Sequence, residues 1–342
     1  MSTTWVDFLK AEGAHFSVDQ IVDDFGNAEA EREATATGSI VANLSTYALL
    51  RVQGEDAQNF LQGQLTCDVN ALETGECSYG AYCTAKGRML GSFLIFRDNE
   101  GYALLMSRDI AAATQKRLQM FVLRAKVKIE DLSERTVLLG LSGSHAGAAF
   151  TEAGYAPSDA AMRIENHGAC IVLRLDDKRY IALIEDETLA RSLWQQFKLS
   201  LKPVGDACWQ WLDIVRGIPW ITAPTQEQFV PQMANLEKIG GVSFKKGCYP
   251  GQEIVARTQY LGKANRRMRL AHCAAQVQTG DAVYGASLGD QACGMVANAA
   301  PAPEGGWDAL VVLNNGALEG PVHAQGLQGP TLDFRALPYN VD

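Results

Sequence analysis

No two cysteines form a C-x-x-C pair, although the 342 residues contain eight. Cys67, Cys77, Cys83, Cys170, Cys208, Cys248, Cys273 and Cys293 are scattered. That spacing fits reduced thiols better than a disulfide framework, and it offers no ready-made site for zinc or a four-cysteine cluster. No metal ligand set is expected. Neither G-x-G-x-x-G nor G-x-x-x-x-G-K-[ST] occurs, so nothing supports a Rossmann or P-loop site. No apolar run is long enough to span a bilayer. The start, Met1-Ser2-Thr3-Thr4-Trp5, lacks the basic-then-apolar order of a secretory signal. The expectation is a cytoplasmic protein without a membrane partner. Positive charge is also scarce: a net charge of −9 argues against a generalised nucleic-acid surface, so direct nucleic-acid binding is not expected.

What is present is an ordinary globular composition, 47% hydrophobic and 20% charged, on a chain long enough for two or three domains. Residues 1–36 read as an acidic N-terminal arm, with a short helix over Asp19–Phe25, a charged tether over Glu29–Glu33 and a solubilising role. From Leu44 the pattern is denser. Strands are predicted at 49–53, 79–84, 89–96, 102–106 and 126–129, with a helix after Gly54 and another from Ser107 to about Phe121. A second pass of similar grammar follows: strand 137–141, helix 144–153, hairpin 169–184, helix 187–198. Mixed strands, helices and hairpins indicate an α+β fold of two lobes, about 37–135 and 136–261, with interleaving of the two as an open alternative, rather than a doubly wound sheet. Asp206 to Arg216 is an amphipathic helix with Cys208, Trp211, Leu212 and Val215 on one stripe and Gly217 as its stop. Trp209 lies off the centre of that stripe, where a ring either packs on a neighbouring lobe or faces a flat ligand. Gly262-Lys263-Ala264-Asn265 reads as a linker. Six short strands over 262–342 then have the spacing of a small β-barrel.

One stretch concentrates chemistry: Ser243-Phe244-Lys245-Lys246-Gly247-Cys248-Tyr249-Pro250-Gly251-Gln252-Glu253. A cysteine just before a helix start sits at the positive end of the helix dipole, a setting for a reactive thiol, and the lysine pair acts in the same direction. A strand-to-helix turn around a buried thiol is the equally weighted alternative.

Lys246 to Glu253 resembles the K-G-C-[FY]-x-G-Q-E signature of the YgfZ-type folate-binding proteins, relatives of the T-protein (aminomethyltransferase) of the glycine cleavage system. Three further segments resemble the same family in the same order: Phe60-Leu61-Gln62-Gly63-Gln64-Leu65-Thr66-Cys67-Asp68-Val69, Ala85-Lys86-Gly87-Arg88-Met89, and Phe229-Val230-Pro231-Gln232-Met233-Ala234-Asn235-Leu236. The resemblance covers about residues 44 to 338. It implies α+β lobes with a folate-binding region over 37–261 and a C-terminal six-stranded β-barrel. It also implies tetrahydrofolate or a derivative as cofactor, and a role supporting assembly or repair of iron–sulfur enzymes, including those that thiomethylate tRNA. The implied partners are folate and iron–sulfur client enzymes or assembly factors.

By the same resemblance, two aromatics flank the folate, at Tyr47 and Trp209 here. Tyr47 replaces the family's usual Trp, and its alternative is an ordinary strand aromatic. Cys248 becomes the candidate reactive thiol and Lys246 its electrostatic partner. Lys245, Lys246, Arg257, Lys263, Arg266 and Arg267 are candidates for a basic rim around the anionic glutamate tail. The T-protein's Gly-Gly-x-x-Asp-Asp loop is replaced by Gly87-Arg88-Met89-Leu90-Gly91-Ser92, and its Glu-Ala-Gly by Val215-Arg216-Gly217. Aminomethyl transfer requires a group that orients the amine or takes its proton, so that activity is not expected. A folate-dependent one-carbon transferase with another acceptor is the alternative. A tRNA-binding module is disfavoured by the net charge.

Overall fold

The computed structural model describes residues 2–261 and 265–341. Gly262, Lys263 and Ala264 of the expected linker lie outside the described residues. The chain forms two compact units, each assembled from separated segments.

The first unit comprises Met1–Ala57, Leu72–Ser78 and Leu94–Trp209. Its six-stranded sheet runs in the order Arg163–Asn166, Cys170–Arg174, Arg179–Ile184, Val137–Ser142, Ile40–Asn43, Lys202–Val204. All neighbours are antiparallel except the last pair, which is parallel. The helix Glu187–Phe197 begins at Asp186, whose carboxylate accepts from the Thr188 and Leu189 amides. Such a cap satisfies donors that the first turn leaves open. Ala190, Leu193, Trp194 and Phe197 follow the helical repeat and are buried against Leu139, Leu141, Val172 and Ala182 of the sheet. The strand Tyr47–Gln53 pairs with Gly101–Ser107 on one side and Lys128–Asp131 on the other. Inside it, Arg51 meets Asp98 at 2.5 Å with both side chains buried.

The N-terminal residues are not a solubilising arm. The helix Thr3–Ala11 places Trp5 and Leu9 in the core. The Trp5 ring stacks on Phe8 and meets Trp194 edge-on, and its indole N–H donates to Asn43 Oδ1 at 2.9 Å. The helix expected over 19–25 is instead the strand Val22–Asp24, paired with His15–Phe16. Residues 29–33 belong to the helix Ala28–Thr37 rather than to a tether. The cause is Glu31, a charge on a polar stretch that is nonetheless buried. Its carboxylate accepts the amides of Phe25 at 2.7 Å and Gly205 at 3.0 Å. Buried charge is tolerated when hydrogen-bonded in this way, and composition alone does not reveal the donors.

The second unit comprises Gln58–Ala71, Tyr79–Phe93 and Gln210–Asp342. The six expected C-terminal strands form one antiparallel sheet, in the order Val322–Ala324, Ala282–Gly285, Gly294–Pro301, Trp307–Asn314, Arg266–Cys273, Asp333–Arg335. It is a curled half-barrel. A bulge between Val296 and Asn298 sharpens the twist of the third strand. Val283, Val296, Val311, Leu313, Val322 and Ala324 fill the concave core. The molecule is thus mixed α+β, as its sequence grammar indicates. Among the described residues no helix is long and apolar enough to cross a membrane.

Candidate functional site

The turn that carries Cys248 is anchored by backbone geometry and one buried cation. Gly251 has φ +80, and a Cβ there would lie 2.5 Å from the Gly87 Cα and N and from the Thr84 carbonyl. Gly87 is itself left-handed, at φ +71. Only glycine combines that conformation with such close approach. The two glycines therefore join the 85–89 turn to the 246–253 turn. Beyond them the helix Gln252–Leu261 begins.

Lys246 points inward. Its Nζ donates to the Leu65 and Cys67 carbonyls, at 2.7 Å each, and lies 5.3 Å from the centre of the Tyr249 ring. Burial pushes its pKa down from 10.5 to about 8, against the opposing pull of Cys67 and Asp68. The ammonium thus ties the turn to the 60–69 segment. That segment is further ordered by Thr66 Oγ1, which donates to the Gly241 carbonyl at 2.6 Å, and by Gln62, which donates to Asp68 at 2.9 Å.

The 229–236 segment joins the same assembly. The Met89 amide donates to the Phe229 carbonyl at 2.8 Å, and Gln232 Nε2 donates to the Val255 carbonyl at 2.6 Å. Asn235 adopts a left-handed conformation, φ 56, and donates to the Met268 carbonyl at 2.8 Å. Four sequence motifs spread over residues 60–253 therefore build one turn and its supports.

Cys248 is exposed, whereas the other seven cysteines are buried. Burial pushes the thiols of Cys67, Cys77, Cys83 and Cys170 up to about 12. Cys248 lies on the wall of a cavity of about 1190 Å³ contained within the second unit. Val230, Met233 and Ile254 give the cavity apolar surface, and Lys86, Arg88, Arg257 and Arg266 give it positive charge.

Of the expected basic rim, Arg257 and Arg266 line this cavity, and Lys245 is exposed without lining it. Arg267 is committed to Glu237 and to the Gln232 carbonyl, and Lys263 lies outside the described residues. Lys86 and Arg88 were missed, although their Ala85–Met89 motif marked them.

Tyr47 and Trp209 belong to the first unit, and both are buried, at 4% and 1% exposed. Trp209 is a buried member of its helix, while Trp211, assigned to the stripe, is only half-buried. The Trp209 ring covers Gly140, where a Cβ would approach it to 2.5 Å. Gly140→Ala is therefore expected to cost ~1–3 kcal/mol by overpacking, measured as a lower urea midpoint. One group with metal-ligand spacing, His272, Glu304 and Asp308, is already occupied by protein donors. Arg335 reaches both acids, and the Trp211 indole donates to Asp308 at 2.8 Å.

This architecture is the fold of an aminomethyltransferase. Residues 5–163 match the GCVT N-terminal domain family. The chain superposes on the glycine cleavage system aminomethyltransferase T from Bartonella henselae with a TM-score of 0.78, over 97% of this chain and 96% of that one, at 18% identity. That likeness speaks to the fold. Sequence similarity is closer to proteins described as tRNA-modifying protein YgfZ. That of Photobacterium profundum is 37% identical over 229 residues, 66% of this chain and 68% of the relative. That of Escherichia coli (strain K12 / DH10B) is 31% identical over 320 residues, 91% of this chain and 97% of the relative. The chain belongs to the YgfZ family.

Proposed function

We propose that this protein binds tetrahydrofolate or a close derivative and supports iron–sulfur enzymes, among them those that thiomethylate tRNA. The observation that carries the reading is the convergence of the four family motifs on the turn that exposes Cys248. A structure that buries seven thiols and holds the eighth at a cavity wall supports a role for that thiol. The name borne by the relatives supports the link to tRNA modification. Aminomethyl transfer is disfavoured, because neither the 87–92 turn nor Val215-Arg216-Gly217 supplies the carboxylates used by the T-protein.

The fold class supports folate as ligand, with Tyr47 and Trp209 as its flanking rings. Since both rings are buried, stacking requires them to be uncovered, and part of the binding free energy is spent on that opening. Calorimetric titration with tetrahydrofolate tests the assignment on Tyr47→Leu and Trp209→Phe, which keep much of the buried volume. Loss of about tenfold in affinity, roughly 1.4 kcal/mol, is expected for each. Unchanged affinity in both would remove the two rings from the site. No binding by the wild-type protein would remove folate.

A further inference from the structure

The cavity beside Cys248 has a charge opposite to that of the molecule. Four of its sixteen lining residues are cationic and one, Glu253, is acidic. The whole chain has 30 cations against 39 acids. Lys86, Arg257 and Arg266 form no ion pair among the described residues. Arg88 is held in place by its donation to the Gln228 carbonyl at 2.5 Å. The ten-residue helix Gln252–Leu261 starts at the same cavity, with Gly251, Gln252 and Glu253 in its lining. A helix start adds amide donors and a positive dipole end. Guanidinium forks suit tetrahedral oxyanions, which they bind through paired N–H groups. Opposite chemistry is present too: Val230, Met233 and the exposed Ile254 offer apolar surface, and Asn265 and Asn314 offer amides. Pure charge would suit any anion. Charge beside an apolar wall suits an organic one. The volume, about 1190 Å³, exceeds the few hundred Å³ that enclose a typical small ligand, so a molecule of nucleotide size fits with room for water.

We propose that this cavity is a receptor for a small organic phosphate, held by Arg257, Arg266 and the helix start, with Cys248 at its edge. The proposal goes beyond the folate reading. Neither Tyr47 nor Trp209 lines the cavity, and occupancy here is testable without folate.

Cys248 supplies the reporter. As the exposed thiol among eight, it is the one that a dianionic aromatic disulfide, 5,5′-dithiobis(2-nitrobenzoate), reaches in the folded protein, forming a mixed disulfide and releasing the coloured aryl thiolate. A Cys248→Ser variant confirms the assignment by losing the fast phase. Adenosine diphosphate and inorganic tripolyphosphate are then titrated against the rate in full-length protein. Saturable protection by both is expected at low salt, with adenosine diphosphate stronger than its charge alone predicts, and with weakening as salt rises. An Arg257→Gln/Arg266→Gln double variant should lose protection by about tenfold or more, since it removes two charge-assisted contacts. Both arginines are exposed, so the melting temperature should not move. Absence of saturable protection by either phosphate overturns the proposal, as does equal protection in the double variant. Protection by a short RNA at ~100-fold lower concentration than adenosine diphosphate would make the cavity a nucleic-acid surface and also overturn it. Protection by polyglutamyl tetrahydrofolate alone would assign the cations to a folate tail, with the same consequence.

Discussion

A Cys248→Ala copy is expected to fail completely in restoring a strain that lacks this protein, while unfolding at the wild-type temperature. The two halves of that expectation come from one fact, the exposure of the thiol. An exposed cysteine contributes little packing, and surface substitutions usually change stability by no more than ~0.5 kcal/mol. Loss of function would therefore not trace to loss of fold. The measurements are the activities of several iron–sulfur enzymes, the thiomethylated nucleosides of bulk tRNA, and a thermal melt of the purified variant. Full restoration would end the proposed role of the thiol. A large drop in melting temperature would show instead that Cys248 is structural. Cys67→Ala is the contrasting variant: its thiol is buried, so its effect should fall on stability.

Lys246→Met should destabilise the second unit by ~2–6 kcal/mol. Removing the ammonium leaves the Leu65 and Cys67 carbonyls without their donor, and an unpaired buried acceptor costs ~1–3 kcal/mol. The effect should also depend on pH. Burial lowers the Lys246 pKa to about 8 from an ordinary 10.5. Between those values the unfolded chain binds more protons at this residue than the folded one, so stability from this group rises with pH. It is fully present above 10.5 and is lost as pH falls through about 8. A neutral amine still has two N–H groups, enough for both carbonyls. The gap between wild type and Lys246→Met in urea unfolding should therefore be wider at pH 10 than at pH 7. A gap independent of pH would mean that the ammonium is solvated in the folded protein.

Much of this was legible in the sequence because it was local. The strands around Ala85–Met89, the Asp206–Val215 helix and the six C-terminal strands follow from periodicity and turn residues. The paired glycines of the Cys248 turn were visible as a motif, but the reason for them was not. Gly251 is needed because the Gly87 backbone lies against it, and no spacing reveals a contact across 164 positions. Lys246 was read as a neighbour of Cys248 because the two are two residues apart in the chain, whereas its ammonium is bound to carbonyls about 180 residues earlier. The N-terminal misreading has the same origin. Glu31 resembles a solvated charge until the amides of Phe25 and Gly205 are known to meet it. Trp209 was placed off the apolar stripe, since a helix covered on more than one side buries residues that a single-stripe pattern leaves out.

The Lys246 anchor also sets a schedule for biosynthesis. Leu65 and Cys67 leave the ribosome some 180 residues before the lysine that secures them. At typical elongation rates, that delay is roughly 10–40 s. Throughout it, Gln58–Ala71 and Tyr79–Phe93 are nascent chain without the partners that Gln210–Asp342 will bring. Their apolar residues, among them Leu61, Leu65, Tyr82 and Phe93, are then available to chaperones or to other chains. The Cys248 turn is thus a late product of translation, and a chain cut short between residues 210 and 245 has its first unit complete in sequence and a second that cannot close.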